Sequence, residues 1–351
     1  MMNAVLKVLA LCAGAWGCIS PVFAFTDPLA QPAMLSELAP SSPLYGLSGD
    51  GLKRIVAVGP RGHILHSEDA GQHFTQSPLS LSSDLVAVYF ASQSKGWAVG
   101  HDGVILHSAD GGKSWERQLD GRQIGDLAVQ YYATQPGESE ALERAKEYAQ
   151  TLQKEGPTKP FLDVYFENEQ EGWAVGAYNL ILHTTDGGKQ WAPWMERTEN
   201  PDEYSLHAIR KIGGHIYIVG ELGLLLRLDR AQQRFVKLDS PYAGSFFGLT
   251  GRKGLLVVFG LRGNAYVSRD DGESWVKLET RTSDSINAGT MLPDGSFILA
   301  SAGGELLISN SNGDRIAKRL STNRSPVYGV TTASTGIVAV GPSGVRILTQ
   351  H

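Results

Sequence analysis

Short apolar runs alternate with Gly- and Asp-rich turns along almost the whole chain, a pattern of brief strands rather than helices. The clearest stretch is residues 96–118, GWAVGHDGVILHSADGGKSWERQ: two strands joined by a Gly turn, a second turn rich in Asp and Gly, then an aromatic that opens another strand. The same order returns at 55–76 (IVAVGPRGHILHSEDAGQHFTQ) and 172–194 (GWAVGAYNLILHTTDGGKQWAPW), with weaker copies at 216–238, 256–278, 297–320 and 337–350. Aligned on one position, Gly59, Gly100, Gly176, Gly220, Gly260, Ser301 and Gly341 fall in register, at spacings of 41, 76, 44, 40, 41 and 40. A repeat of about 40–45 residues carrying several strands marks propeller blades. The chain therefore reads as all-β, a seven-bladed β-propeller with a helical insertion between blades two and three, where one spacing is nearly doubled.

Each unit's innermost strand carries a small residue (Gly46, Ala87, Ala208, Gly248, Ala288 and Gly329), as expected where strands converge on an axis. Blade three departs with Leu162-Asp163-Val164, so Asp163 either faces the channel or, as the plainer reading, binds neighbouring backbone amides. The last unit stops one strand short, and a ring left open exposes strand edges. The segment around Pro28–Leu38 is the spare strand expected to complete blade seven, its prolines tolerable at an outermost position.

The second turn reads S/T-x-D-x-G-x-x-aromatic: Ser67, Asp69, Gly71 and Phe74; Ser108, Asp110, Gly112 and Trp115; Thr184, Asp186, Gly188 and Trp191; Ser268, Asp270, Gly272 and Trp275. A short acid can accept from the amides of its own turn, Gly supplies positive φ, and the aromatic packs between blades. This is the Asp-box, or BNR, motif. Repetition around a ring gives these acids a structural role, since catalysis needs convergence on one place. His66, His107 and His183 share one repeat position in adjacent blades, so they point in rotated directions and do not read as a metal set. No metal and no cofactor is expected.

Composition changes the picture little. The formal charge of −5 gives no basic excess and no argument for nucleic acid as partner. Lys7, the apolar run Val8–Ile19 and Val22-Phe23-Ala24 read as a signal peptide cleaved near Ala24, leaving residues 25–351 as a single propeller in the periplasm or otherwise exported. The run is too short for a comfortable membrane span. Cys12 and Cys18 both lie within it, and lipid anchoring at Cys18 is the competing reading.

GWAVG, then G-x-I-L-H-S/T, then DGGKSW or DGGKQW, resembles the repeat of the photosystem II assembly and stability factor family, over essentially the whole chain after residue 24 apart from the insertion. The resemblance implies a non-enzymatic scaffold that holds membrane-protein intermediates, and an arginine-rich patch for which Arg61, Arg122 and Arg262 are the candidates here.

The insertion, about 120–158, contains an amphipathic helix over 138–155, with a stripe of Ala141, Leu142, Ala145, Tyr148, Ala149 and Leu152. It should share a face with the turns between second and third strands, whose residues vary while the framework repeats. The expected partner-binding set is therefore Arg61, His101, Asp102, Arg122, Leu142, Tyr148, Leu152, Tyr178, Asn179, Glu221 and Arg262. A flap packing its stripe on the blade rim is the plainer reading of the helix. The partner expected is a membrane-embedded or envelope protein. The alternative function is a secreted Asp-box glycosidase. A sialidase would carry an Arg-Ile-Pro stretch, which is absent, Arg54-Ile55-Val56 coming nearest; other glycosidases need two carboxylates across a cleft. Asp102 and Glu221 share the expected face but belong to blades two apart.

Overall fold

A computed structural model describes residues 26–320 and 324–348. The signal-peptide reading of residues 1–24, with Cys12, Cys18 and the Ala24 cleavage site, lies outside them. Seven antiparallel sheets form, each with its strands in chain order; six have four strands and the last has three among the described residues. The inner strands touch one another in sequence around the ring, and the last, Gly329–Ala333, meets the first, Gly46–Gly49. The fold is thus a seven-bladed propeller with the helices between blades two and three.

The second strand of five blades (Ile55–Val58, Gly96–Gly100, Gly172–Gly176, Leu255–Gly260, Phe297–Ser301) is buried throughout, and in blades four and seven all but its first residue is. A neighbouring blade covers each of its faces, so the strand reads as a continuous apolar run rather than an alternating one. Outermost strands such as Val276–Lys277 are exposed and short, which limits edge-to-edge association.

Ring closure differs from the strand expected at Pro28–Leu38. That segment forms no strand and lies along blades one and two: Ala33 N–H donates to the Leu79 carbonyl (3.0 Å), Ser82 N–H to Pro28 (2.8 Å), and the Arg117 guanidinium to Leu29 (3.1 Å). Leu29 and Ala33 are buried in the apolar cluster shared by those blades. Pro28 and Pro32 have no N–H for a ladder, whereas two buried side chains reward the alternative path. Closure falls instead to Ala39–Tyr45. Elsewhere the chain linking one blade to the next presses on a turn glycine: a Cβ on Gly223 would lie 2.0 Å from the Tyr242 carbonyl oxygen, and one on Gly263 would lie 2.1 Å from that of Thr282. In blade seven the same place, above Gly344, is taken by the Pro40 carbonyl, whose oxygen would lie 2.0 Å from a Cβ on Gly344, and Leu44 N–H donates to Gly341 (3.1 Å). The N-terminal segment therefore acts as the link that the last blade lacks.

The insertion holds two helices rather than one, α1 (Gly121–Ala133) and α2 (Glu140–Glu155). The unanticipated α1 opens on a capping box, with Asp120 accepting from Arg122 N–H and the Gln123 side chain accepting from Asp120 N–H. The helices touch at backbone level: a Cβ on Gly125 would lie 2.3 Å from Gln153 Cα.

Candidate partner-binding face

The turn between second and third strands is built alike in blades one to five. Its tip residue (Arg61, Asp102, Tyr178, Leu222 or Arg262) has a left-handed backbone, with φ from 49° to 56°. That conformation is costly for non-glycine residues, and the next blade holds it in four of the five. The tip amides donate to side chains heading the next inner strand: Arg61 to Asp84 Oδ1 (2.9 Å), and Tyr178, Leu222 and Arg262 to Ser205, Ser245 and Ser285 Oγ (3.4 Å each). Backbones are pinned and side chains project: Arg61, Tyr178, Leu222 and Arg262 are all exposed.

The insertion lies on this face, as its position in the chain requires. Its first residue, Gly121, packs against Asp102 and Gly103 of the blade-two turn, and Lys159 Nζ sits 4.7 Å from the Tyr178 ring centre. The expected set divides there. Arg61, His101, Asp102, Tyr178, Glu221 and Arg262 ring one end of the axis. Glu221 is half-buried, its carboxylate accepting from Ser205 N–H (2.8 Å). Asn179 is buried; its side chain donates to the Met195 carbonyl and accepts from the Thr198 hydroxyl and Asn200 amide. Leu142 and Leu152 are buried too, which takes them out of the contact surface, and Tyr148 is 7% exposed: the α2 stripe faces Ile124, Ala128 and Tyr132 of α1 and the wall of blade three. Two apolar helix faces that can cover each other do so before any partner arrives. The Tyr132 hydroxyl locks the pair down, donating to Glu196 Oε2 (2.8 Å) and accepting from Met195 N–H (3.1 Å).

The three arginines are not gathered. Arg61 and Arg262 belong to blades one and five, and Arg122 is engaged by Asp120 (3.1 Å), with Asp27 3.7 Å away.

A channel of about 330 Å³ runs down the axis. Its mouth on the turn face is lined by the residue preceding each small one (Tyr45, Val86, His207, Phe247, Asn287 and Tyr328) and, in blade three, by Leu162 before Asp163. This ring, and Leu222, were not anticipated. The sequence signal was variation one place before the conserved register of small residues. Asp163 lies on the channel wall and crosses to blade four, accepting from Val164 and Ile209 N–H (2.9 Å each) and from Arg210 Nη1 (2.5 Å). Burial raises its carboxyl, and Arg210 opposes the rise.

The Asp-boxes are closed local networks. The Ser67, Ser108, Thr184 and Ser268 hydroxyls donate to the Asp two residues on and accept from the Gly amide four residues on, at 2.8–2.9 Å. The Asp270 carboxyl is held down at about 2 by the Ser274 hydroxyl and amide and the Ser268 hydroxyl. Among the histidines, His66 Nδ1 meets Ser77 Oγ (3.1 Å) and His107 lies tilted against Trp97, with ring centres 5.1 Å apart. His183 is buried against Trp173 and Trp194 with no hydrogen bond at Nε2. Among the described residues no three His, Cys, Asp or Glu side chains form a metal-binding group.

Residues 53–146 and 142–332 match the family described as photosynthesis system II assembly factor YCF48. Over 170 residues the chain is 26% identical to the photosystem II assembly lipoprotein Ycf48 of Synechococcus sp. (strain CC9902), covering 46% of this chain and 51% of that protein. Over 67 residues it is 33% identical to the chloroplastic photosystem II stability/assembly factor HCF136 of Oryza sativa subsp. japonica, covering 19% of this chain and 16% of that one. The matches thus span about half or less of these relatives. Two solved structures share the fold: YCF48 bound to D1 peptide (TM-score 0.63, 19% identity, 89% of this chain and 95% of that one) and YCF48 from Cyanidioschyzon merolae (0.60, 15%, 90% and 97%).

Proposed function

Because the chain belongs to the photosynthesis system II assembly factor YCF48 family, we propose that it is an exported, non-enzymatic assembly scaffold that holds a membrane or envelope protein on its turn face. The family match across residues 53–332 carries this reading. A structural neighbour bound to a D1 peptide supports a protein partner, and the relative called a lipoprotein supports export. No helix among the described residues is long and apolar enough to cross a membrane.

The mechanism is display. Blade-to-blade burial absorbs the framework's apolar residues, and the pinned tips present Arg61, Tyr178, Leu222 and Arg262, with Asp102 beside them, at low conformational cost on binding. We assign residues 1–24 to a signal peptide and residues 25–351 to a single exported domain.

The test is in-cell crosslinking and recovery of partners from the native host. Charge reversal at Arg61 and Arg262 with Tyr178→Ala should deplete a membrane or envelope protein that native protein captures. Equal recovery by both would remove the turn face from the account. Turnover of an aryl glycoside abolished by Asp102→Asn or Glu221→Gln would replace the scaffold reading with the hydrolase one.

A further inference from the structure

On the turn face, α2 and the loop that enters blade four leave a groove of about 320 Å³. It is lined by Arg144, Glu147, Tyr148, Thr151, Lys159, Tyr178 and Glu203. A smaller cavity of about 20 Å³ adjoins it, lined in part by Tyr148 and Glu203.

Its charges do not cancel. Arg144 is paired with Glu140 (2.6 Å) and Lys159 with Glu155 (2.7 Å). Glu147 and Glu203 have no ion-pair partner among the described residues, whereas each of the two cations is paired with a carboxylate outside the groove. Tyr148, which lines both spaces, is 7% exposed and its hydroxyl has no hydrogen-bond partner. A buried polar group left unmatched is costly, and such groups concentrate where something else completes them. Tyr178, more than half exposed, forms the aromatic lip. Burial lifts the Glu203 carboxyl above its ordinary value; Arg144 opposes the rise and Glu147 adds to it.

We propose that this groove takes a basic side chain, Lys or Arg, from an extended segment of the protein partner. The cation lies between Glu147 and Glu203, and its aliphatic stem lies against the Tyr148 and Tyr178 rings. A charge-assisted hydrogen bond to carboxylate and apolar packing of the stem on the rings are the interactions this lining offers, the Tyr178 ring being shared with Lys159 Nζ, 4.7 Å from its centre. The proposal rests on the scaffold reading and specifies part of it: the turn tips position the partner, and the groove selects for a basic residue.

The probes are fluorescein-labelled Gly/Ser peptides with one central Arg, or Gln in its place, titrated by anisotropy at low salt into the purified full chain. The Arg peptide should bind at least about tenfold more tightly than the Gln peptide, and rising salt should erode the difference. Glu147→Gln with Glu203→Gln should abolish the preference while leaving circular dichroism and thermal stability near native, because neither carboxylate is paired within the fold. Equal binding of the two peptides, or a preference surviving in the double variant, overturns the proposal. In the crosslinking experiment, a partner captured equally by native protein and double variant also overturns it and leaves the scaffold reading standing. No partner for either removes the scaffold reading, and the peptide titration still decides the groove.

Discussion

His183 should make the protein acid-sensitive well above the range in which carboxylates titrate. Its ring is 8% exposed, 4.7 Å from Trp173 and 4.2 Å from Trp194 between ring centres. Burial first, then Arg197 and Arg230, depress its pKa to about 4. An unfolded histidine titrates near 6.5, so the folded state holds fewer protons between those values. Stability is then intact above about pH 6.5 and falls as pH drops toward 4. At about pH 5 the two protonation equilibria differ by at most about 2 kcal/mol. His183→Leu removes the titration and breaks no hydrogen bond at Nε2, which has none. At pH 7.5 the variant should differ from native by packing alone, under about 1.5 kcal/mol. Urea denaturation followed by far-ultraviolet circular dichroism at pH 7.5 and pH 5 measures both gaps, and other titrations cancel in the difference. The variant should gain up to about 2 kcal/mol on native protein at the lower pH. An unchanged gap would show that His183 is not held neutral. A shift in native protein's favour would mean that it protonates and pairs with Glu171, whose Oε1 is 3.4 Å from Nε2.

Three further outcomes are expected. Gly344→Ala and Gly137→Ala both place Cβ on a left-handed residue (φ 76° and 97°), at about 1–2 kcal/mol each. Only the Gly344 change also meets Pro40, so its melting temperature should fall further, and equal falls would remove the closure role of Ala39–Tyr45. Tyr132→Phe leaves Met195 N–H without its acceptor and should cost about 1–3 kcal/mol in chemical denaturation; native stability would mean the hydroxyl does not anchor the α1–α2 pair. Asp270 in its lowered state contributes stability that is present above its ordinary pKa near 3.9 and lost as pH falls through about 2. Asp270→Asn should therefore flatten acid unfolding between about pH 4 and 2, and an unaltered acid profile would argue against the box network as its cause.

The repeats settled the blades because the information is local and reiterated. Each unit restates its apolar runs, its turn glycine and its S/T-x-D-x-G box, and every box closes on partners within four residues. The face bearing the variable turns and the insertion was legible for the same reason, since strand order alone places them together. Helix α1 is less legible than α2 although its capping box and Ile124, Ala128 and Tyr132 are in the sequence, because Gly121 and Gly125 interrupt a shorter apolar stripe. What depends on contacts distant in sequence was decided only in three dimensions. Whether Leu29 and Ala33 pair with blade seven or sink between blades one and two depends on which cavity the finished ring leaves open. The fate of Leu142, Tyr148 and Leu152 depends on α1 being near enough to cover them. Glu147 and Glu203 look like ordinary surface acids until the fold sets them beside one groove while their neighbouring cations pair elsewhere. Periodicity reports which side of an element is apolar; only the closed ring determines what comes to lie against it.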